Sequence, residues 1–177
     1  NTAILYNHSS INNINDYQGQ TNNIYNFYQA YKAISFSDFE QRLPDLSTIK
    51  AKATKELLSL EVPLALLFTE YDTFNEVASN NNLIETSGGN TFQRVGQQTE
   101  IFDEHQLLVA AALKPIQRGT DVIFKLYTET FFNTTENEIT TIEVDFDDNQ
   151  GYRTINIDSS TNITYQVEGE KLLHFRI

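Results

Sequence analysis

The chain has 177 residues, 40% of them hydrophobic and among them 12 Phe and 9 Tyr, enough apolar surface for a core and an argument against wholesale disorder. Its formal net charge of −12 repels phosphate backbones and anionic lipid, which disfavours nucleic acid and anionic membranes as partners and tolerates cations, neutral glycans or a basic protein patch. With no cysteine, disulfide scaffolds, Cys-ligated zinc, thiol catalysis and iron–sulfur chemistry are excluded.

Methionine is absent and residue 1 is Asn, so a processed or excised piece is expected. No apolar run reaches about 18 residues, so no membrane insertion is expected. Residues 1–24 are rich in Asn (Asn1, Asn7, Asn12, Asn13, Asn15, Asn22, Asn23), which favours turns over helix. Ile24, Phe27, Tyr28 and Tyr31 follow at i, i+3, i+4 and i+7, the spacing of one helical face. The next helix is expected over 46–58, capped by Asp45 or Ser47, with Ile49, Ala53, Leu57 and Leu60 along one side. The run Val62 to Phe68 after Pro63 reads as a buried strand. Asp72 can cap a short helix over 73–79, and Ile101 to Leu113 reads mostly as strand.

From residue 116 the pattern becomes β. Val122, Phe124 and Leu126 alternate with Ile123, Lys125 and Tyr127, and Ile142, Val144 and Phe146 with Thr141, Glu143 and Asp145. Ile155 and Ile157 follow, then Tyr165 and Val167. Leu173, Phe175 and Ile177 alternate with Leu172, His174 and Arg176. Period two gives one buried face and one wet face, and strands at this spacing joined by Asn, Asp and Gly turns point to an antiparallel sandwich.

The acidic turn offers the densest set of oxygen donors. Asp145, Asp147, Asp148 and Asn149 fall within five residues, followed by Gly151. Calcium takes six to eight oxygen ligands. As an EF-hand loop the string fails twice, with its Gly one residue late and Asn156 where a Glu is needed. Two readings stay open, a calcium site and a solvated hairpin turn. Tyr25, Tyr28, Tyr31 and Tyr152 are candidates for stacking on sugar rings, against the alternative of a buried helix face. His8, His105 and His174 have no metal spacing, and each reads as a surface residue. Nucleophile-elbow and phosphate-loop motifs are missing, and the carboxylate pairs Glu100/Asp103 and Glu136/Glu138 lie in polar stretches. The Asn-x-Ser/Thr triplets at Asn7, Asn133 and Asn162 read as chance in an Asn-rich chain.

The stretch Ile142-Glu-Val-Asp-Phe-Asp-Asp-Asn149, then Asn162-Ile-Thr-Tyr165, Gly169 and the alternating Leu173, Phe175 and Ile177, resembles the polycystic-kidney-disease-type (PKD-like) domain. In that family an apolar–Asp–Phe–Gly–Asp–Gly hairpin is followed by a Tyr, a Gly turn and an alternating last strand. Val144 stands where Trp is common, and Phe146, Tyr165 and Gly169 match in kind. Asp147 and Asn149 replace the two loop glycines, and both residue types tolerate the left-handed conformation. The resemblance covers about residues 116–177. It implies a module of large exported bacterial proteins, serving as spacer, adhesive unit or companion to a hydrolase.

The expectation is therefore an α+β chain: a mixed segment over 1–115, then an immunoglobulin/PKD-like sandwich segment over 116–177. The two can share one core, since Val62 to Phe68 offers a further strand. The function expected is a non-catalytic accessory, spacer or adhesion module at the cell surface or outside the cell, with no cofactor apart from the calcium reading. Its partners are neighbouring domains of a larger exported protein, with glycan or protein contacts. The alternatives are a carbohydrate-binding module using exposed Tyr residues and a fragment of a secreted hydrolase.

Overall fold

The computed structural model describes residues 21–37, 41–55, 59–74, 82–86, 92–95 and 101–177. The architecture is α+β. Two helices, α1 (Ile24–Ser37) and α2 (Leu46–Lys55), precede the strands. Among the described residues these are β1 (Glu61–Phe74), β2 (Ile84–Thr86), β3 (Phe92–Arg94), β4 (Phe102–Ala112), β5 (Asp121–Asn133), β6 (Ile142–Asp145), β7 (Tyr152–Ile155), β8 (Ser160–Thr164) and β9 (His174–Arg176).

Asn23 starts α1: its Oδ1 accepts the N–H groups of Tyr25 and Asn26 at 2.9 and 3.0 Å, satisfying donors that the first turn leaves open. The buried face is Phe27, Ala30, Tyr31 and Ile34, while Ile24 and Tyr28 stay half-buried. Asp45 does the same for α2, accepting the Ser47 N–H at 2.7 Å. Ile49 and Ala53 are buried as expected, whereas Leu60 is 70% exposed ahead of β1 and Leu57 lies outside the described residues. The short helix expected from Thr73 begins on residues that are strand, since β1 runs on to Phe74. Its β-branched and aromatic residues suit an extended, half-buried surface better than Asp72 suits a cap. The rest of that helix lies outside the described residues.

The chain divides into two compact units, residues 1–69 with 107–177, and residues 70–106. In the second unit β2 and β3 pair antiparallel, and Leu83, Ile101 and Ile84 cluster. One sheet has the order β4-β1-β5-β8 and another the order β7-β6-β9. The pairs β5–β8, β6–β7 and β6–β9 are antiparallel, but β1 runs parallel to β5. That makes the four-stranded sheet a mixed half-barrel, and the whole is not a clear immunoglobulin sandwich.

One core of the first unit joins Val62, Leu64 and Leu66 of β1 to Val122, Phe124 and Leu126 of β5, Ile163 of β8 and Ile142, Val144, Phe146, Ile155 and Tyr165. Ala65 and Leu67 are fully buried as well, and strand alternation puts them on the opposite face of β1. Burial on both faces is why 62–68 reads as one continuous apolar run. Pro63 is tolerated near the start of this central strand, where its carbonyl still accepts the Leu113 N–H at 2.8 Å.

The β1–β5 register passes from Leu64↔Leu126 to Leu66↔Phe131, so β5 carries a bulge. The bulge exchanges faces. Leu126 points into the large core and so does Phe131, while Phe132 meets Tyr31 of α1 edge-on with ring centroids 5.1 Å apart.

Candidate functional site

The β6–β7 hairpin is built around Phe146, which is fully buried and tilted against Phe124 at 4.9 Å. Three residues of the turn have left-handed backbone: Asp147 (φ 58°), Asn149 (φ 65°) and Gly151 (φ 72°). The first two are the positions where the PKD-like pattern carries glycine. The carboxylates serve the turn itself. Asp145 Oδ1 accepts the Asp147 N–H at 3.0 Å, and Asp148 Oδ1 accepts the Gln150 N–H at 3.2 Å. Asp148 Oδ2 takes the Arg153 guanidinium at 2.7 Å, and Asp147 Oδ2 accepts the Leu172 N–H at 3.2 Å.

Below the hairpin, the Tyr165 hydroxyl donates to the Phe146 carbonyl at 2.7 Å. Burial, then the negative charge of Asp148 and Asp147, pushes its pKa up to about 12, with Arg153 opposing. This phenol is a structural tie and stays protonated. One oxygen each of Asp145 and Asp147 and both oxygens of Asp148 thus already accept bonds within the protein. Among the described residues no group of three or more His, Cys, Asp or Glu side chains is placed to hold a metal ion.

The four tyrosines do not form one surface. Tyr25 is 71% exposed on α1. Tyr28 is half-buried beside it, with Lys50 Nζ 5.3 Å over its ring and its pKa raised first by burial. Tyr31 is a correction to the expected exposed set. It is fully buried, stacks on Phe27 at 6.2 Å and donates to the Pro44 carbonyl at 2.7 Å, so it belongs to the core. Tyr152 sits on β7, 40% exposed.

Around Tyr152 lies a group that the sequence left scattered. Strand register sets Tyr152, Asp145 and His174 in one row across β7, β6 and β9, and Thr154, Glu143 and Arg176 in the next. All six alternate with the inward Val144, Ile155 and Phe175, so they share the outer face of this sheet. The Arg176 guanidinium lies 4.1 Å from the Tyr152 ring centroid, and its Nε donates to Glu143 Oε2 at 2.6 Å. Alternation alone gives His174 as outward, and it is exposed. It does not give the row partners, because strand order is a tertiary property.

A second group sits at the β5 bulge. The Tyr127 phenol donates to the Glu61 carboxylate, with Lys52 Nζ of α2 3.4 Å and Lys125 Nζ 4.6 Å from its ring centroid. Asp158 accepts the Thr128 N–H and hydroxyl at 3.1 and 2.7 Å, bonds that lower its pKa. These contacts fasten α2 and the turn before β8 to the bulge. Of the remaining candidates, His105 is half-buried and stacked on Tyr71 at 5.4 Å, Glu136 and Glu138 are exposed, and His8 and Glu100 lie outside the described residues.

Comparison with known proteins returns no match: no family model, no curated protein and no solved structure. Among the described residues no helix is long and apolar enough to cross a membrane.

Proposed function

We propose that the chain is a non-catalytic accessory module of an exported bacterial protein, its C-terminal part a PKD-like sandwich that spaces or presents neighbouring domains. One observation carries this reading. Asp147 and Asn149 take left-handed backbone at the positions where the family uses glycine, and the Tyr165 hydroxyl ties the hairpin's Phe146 carbonyl to the next strand. The two sheets that meet at Val144, Phe146 and Tyr165 support the sandwich element. The carboxylates of the turn support the hairpin's shape and leave little for chemistry.

Removing the whole 177-residue segment from the larger exported protein tests the reading, since β1 and β5 share one core. The neighbouring domain's kcat/KM should stay within about twofold, a barrier change under roughly 0.5 kcal/mol, while its retention at the cell surface falls. Turnover of ester, peptide or glycoside substrates by the purified 177-residue chain would refute it.

A further inference from the structure

The geometry points to the outer face of the β7-β6-β9 sheet as a binding platform for a neutral, hydroxyl-rich glycan, centred on Tyr152. This rests on the accessory-module reading and specifies what the module holds. The ring is already fixed. Arg176 lies 4.1 Å from its centroid and is itself held by Glu143 at 2.6 Å, yet Tyr152 keeps 40% of its surface exposed. An aromatic ring immobilised before the ligand arrives loses little freedom on binding. The weakly positive C–H face of a pyranose suits the negative face of such a ring.

The polar surroundings fit hydroxyls. Glu143 accepts, Arg176 donates, and Thr154 and His174 do either, all on one face across three strands spaced about 4.8 Å apart. Charge decides the class of occupant. On this face Arg176 stands against two carboxylates, Glu143 and Asp145, so there is no positive excess to hold a polyanion. The chain as a whole carries −12, which repels polyanions. Among the described residues, the row neighbours of this ring are Asp145, His174, Glu143, Thr154 and Arg176, a polar setting unlike the apolar centre a protein partner needs. A neutral polysaccharide meets all three conditions.

Native gels cast with a soluble β-glucan, an arabinoxylan or a mannan, each run with the 177-residue chain, test the proposal. The wild-type chain should be retarded in at least one. Tyr152→Ala should weaken that retardation at least tenfold, while Tyr152→Phe keeps it and Tyr25→Ala, on α1, leaves it unchanged. The proposal is overturned if no neutral polysaccharide retards the folded chain, or if Tyr152→Ala migrates like wild type. Retardation by heparin alone, or concentration-dependent self-association in sedimentation as the sole interaction, also overturns it. Each of these failures leaves the accessory-module reading standing, since that reading falls only on catalytic turnover or on the deletion result.

Discussion

Tyr165 joins two parts of the chain that lie 19 residues apart, with its phenol 2.7 Å from the Phe146 carbonyl in a buried setting. Tyr165→Phe keeps the ring and strands that carbonyl, so it should cost about 1–3 kcal/mol. Thermal unfolding should register roughly 2–4 °C for each kcal/mol. The pH dependence has a definite sign. The folded pKa is raised from the ordinary value near 10 to about 12, so the stabilisation is whole below about pH 10 and is lost as pH rises through 12. Stability curves of the wild type and the Phe variant should therefore converge over that window. Much of this environment was legible. Val144, Phe146 and Tyr165 alternate with polar neighbours and are buried, and Leu173 and Phe175 pack against the same core. Asp and Asn at the left-handed positions followed from their tolerance of that conformation. The hydrogen bond did not follow, because nothing local places a phenol beneath a carbonyl 19 residues away. Val167 and Ile177 alternate in sequence yet are 69% and 44% exposed, since alternation continues past the point where the partner strands end.

At the scale of elements, the bulge in β5 governs what each half of the strand touches. Thr130 is fully buried there, its hydroxyl 2.7 Å from the Leu64 carbonyl and accepting the Tyr127 N–H at 3.3 Å. Thr130→Val preserves shape and removes the hydroxyl, so it should destabilise by about 1–3 kcal/mol, read as a lower urea midpoint. Thr130→Ser, which keeps the hydroxyl, should recover most of the loss. The sequence marked β5 clearly up to Leu126, where period two holds. It then hid the exchange of faces, because Tyr127-Thr-Glu-Thr130 reads as more strand. The helix expected from Thr73 shows the opposite competition. Asp72 looks like a cap in isolation, yet the run from Val62 onward is extended through Phe74.

For the whole molecule, the decisive fact is that β1 supplies Val62, Leu64 and Leu66 to a core whose other buried members all lie after residue 121. A fragment of residues 116–177 would keep β5 to β9 but lose the neighbour of β5 in the order β4-β1-β5-β8. Losing the burial of Val62, Leu64 and Leu66, at about 1.5–3 kcal/mol each, is comparable to the marginal stability of a small domain. The fragment should give a disordered circular-dichroism spectrum, and a cooperative melt would show that β1 is dispensable. Strand existence was readable here and strand order was not. Alternation fixes which way side chains point, while the parallel β1–β5 pair depends on partners far apart in the chain.

That parallel pair sets a condition on synthesis. Glu61 finds Ile123 only after roughly sixty further residues have left the ribosome, a delay on the order of seconds at about 5–20 residues per second. Throughout that interval the stretch Val62-Pro-Leu-Ala-Leu-Leu-Phe68 has no β5 to lie against. Such a segment is prone to intermolecular pairing, and it is flanked by Glu61, Glu70 and Asp72. Those carboxylates thus stand as gatekeepers for a nascent chain still lacking its central pairing, and the acidity counted at the outset protects the protein before it is a fold at all.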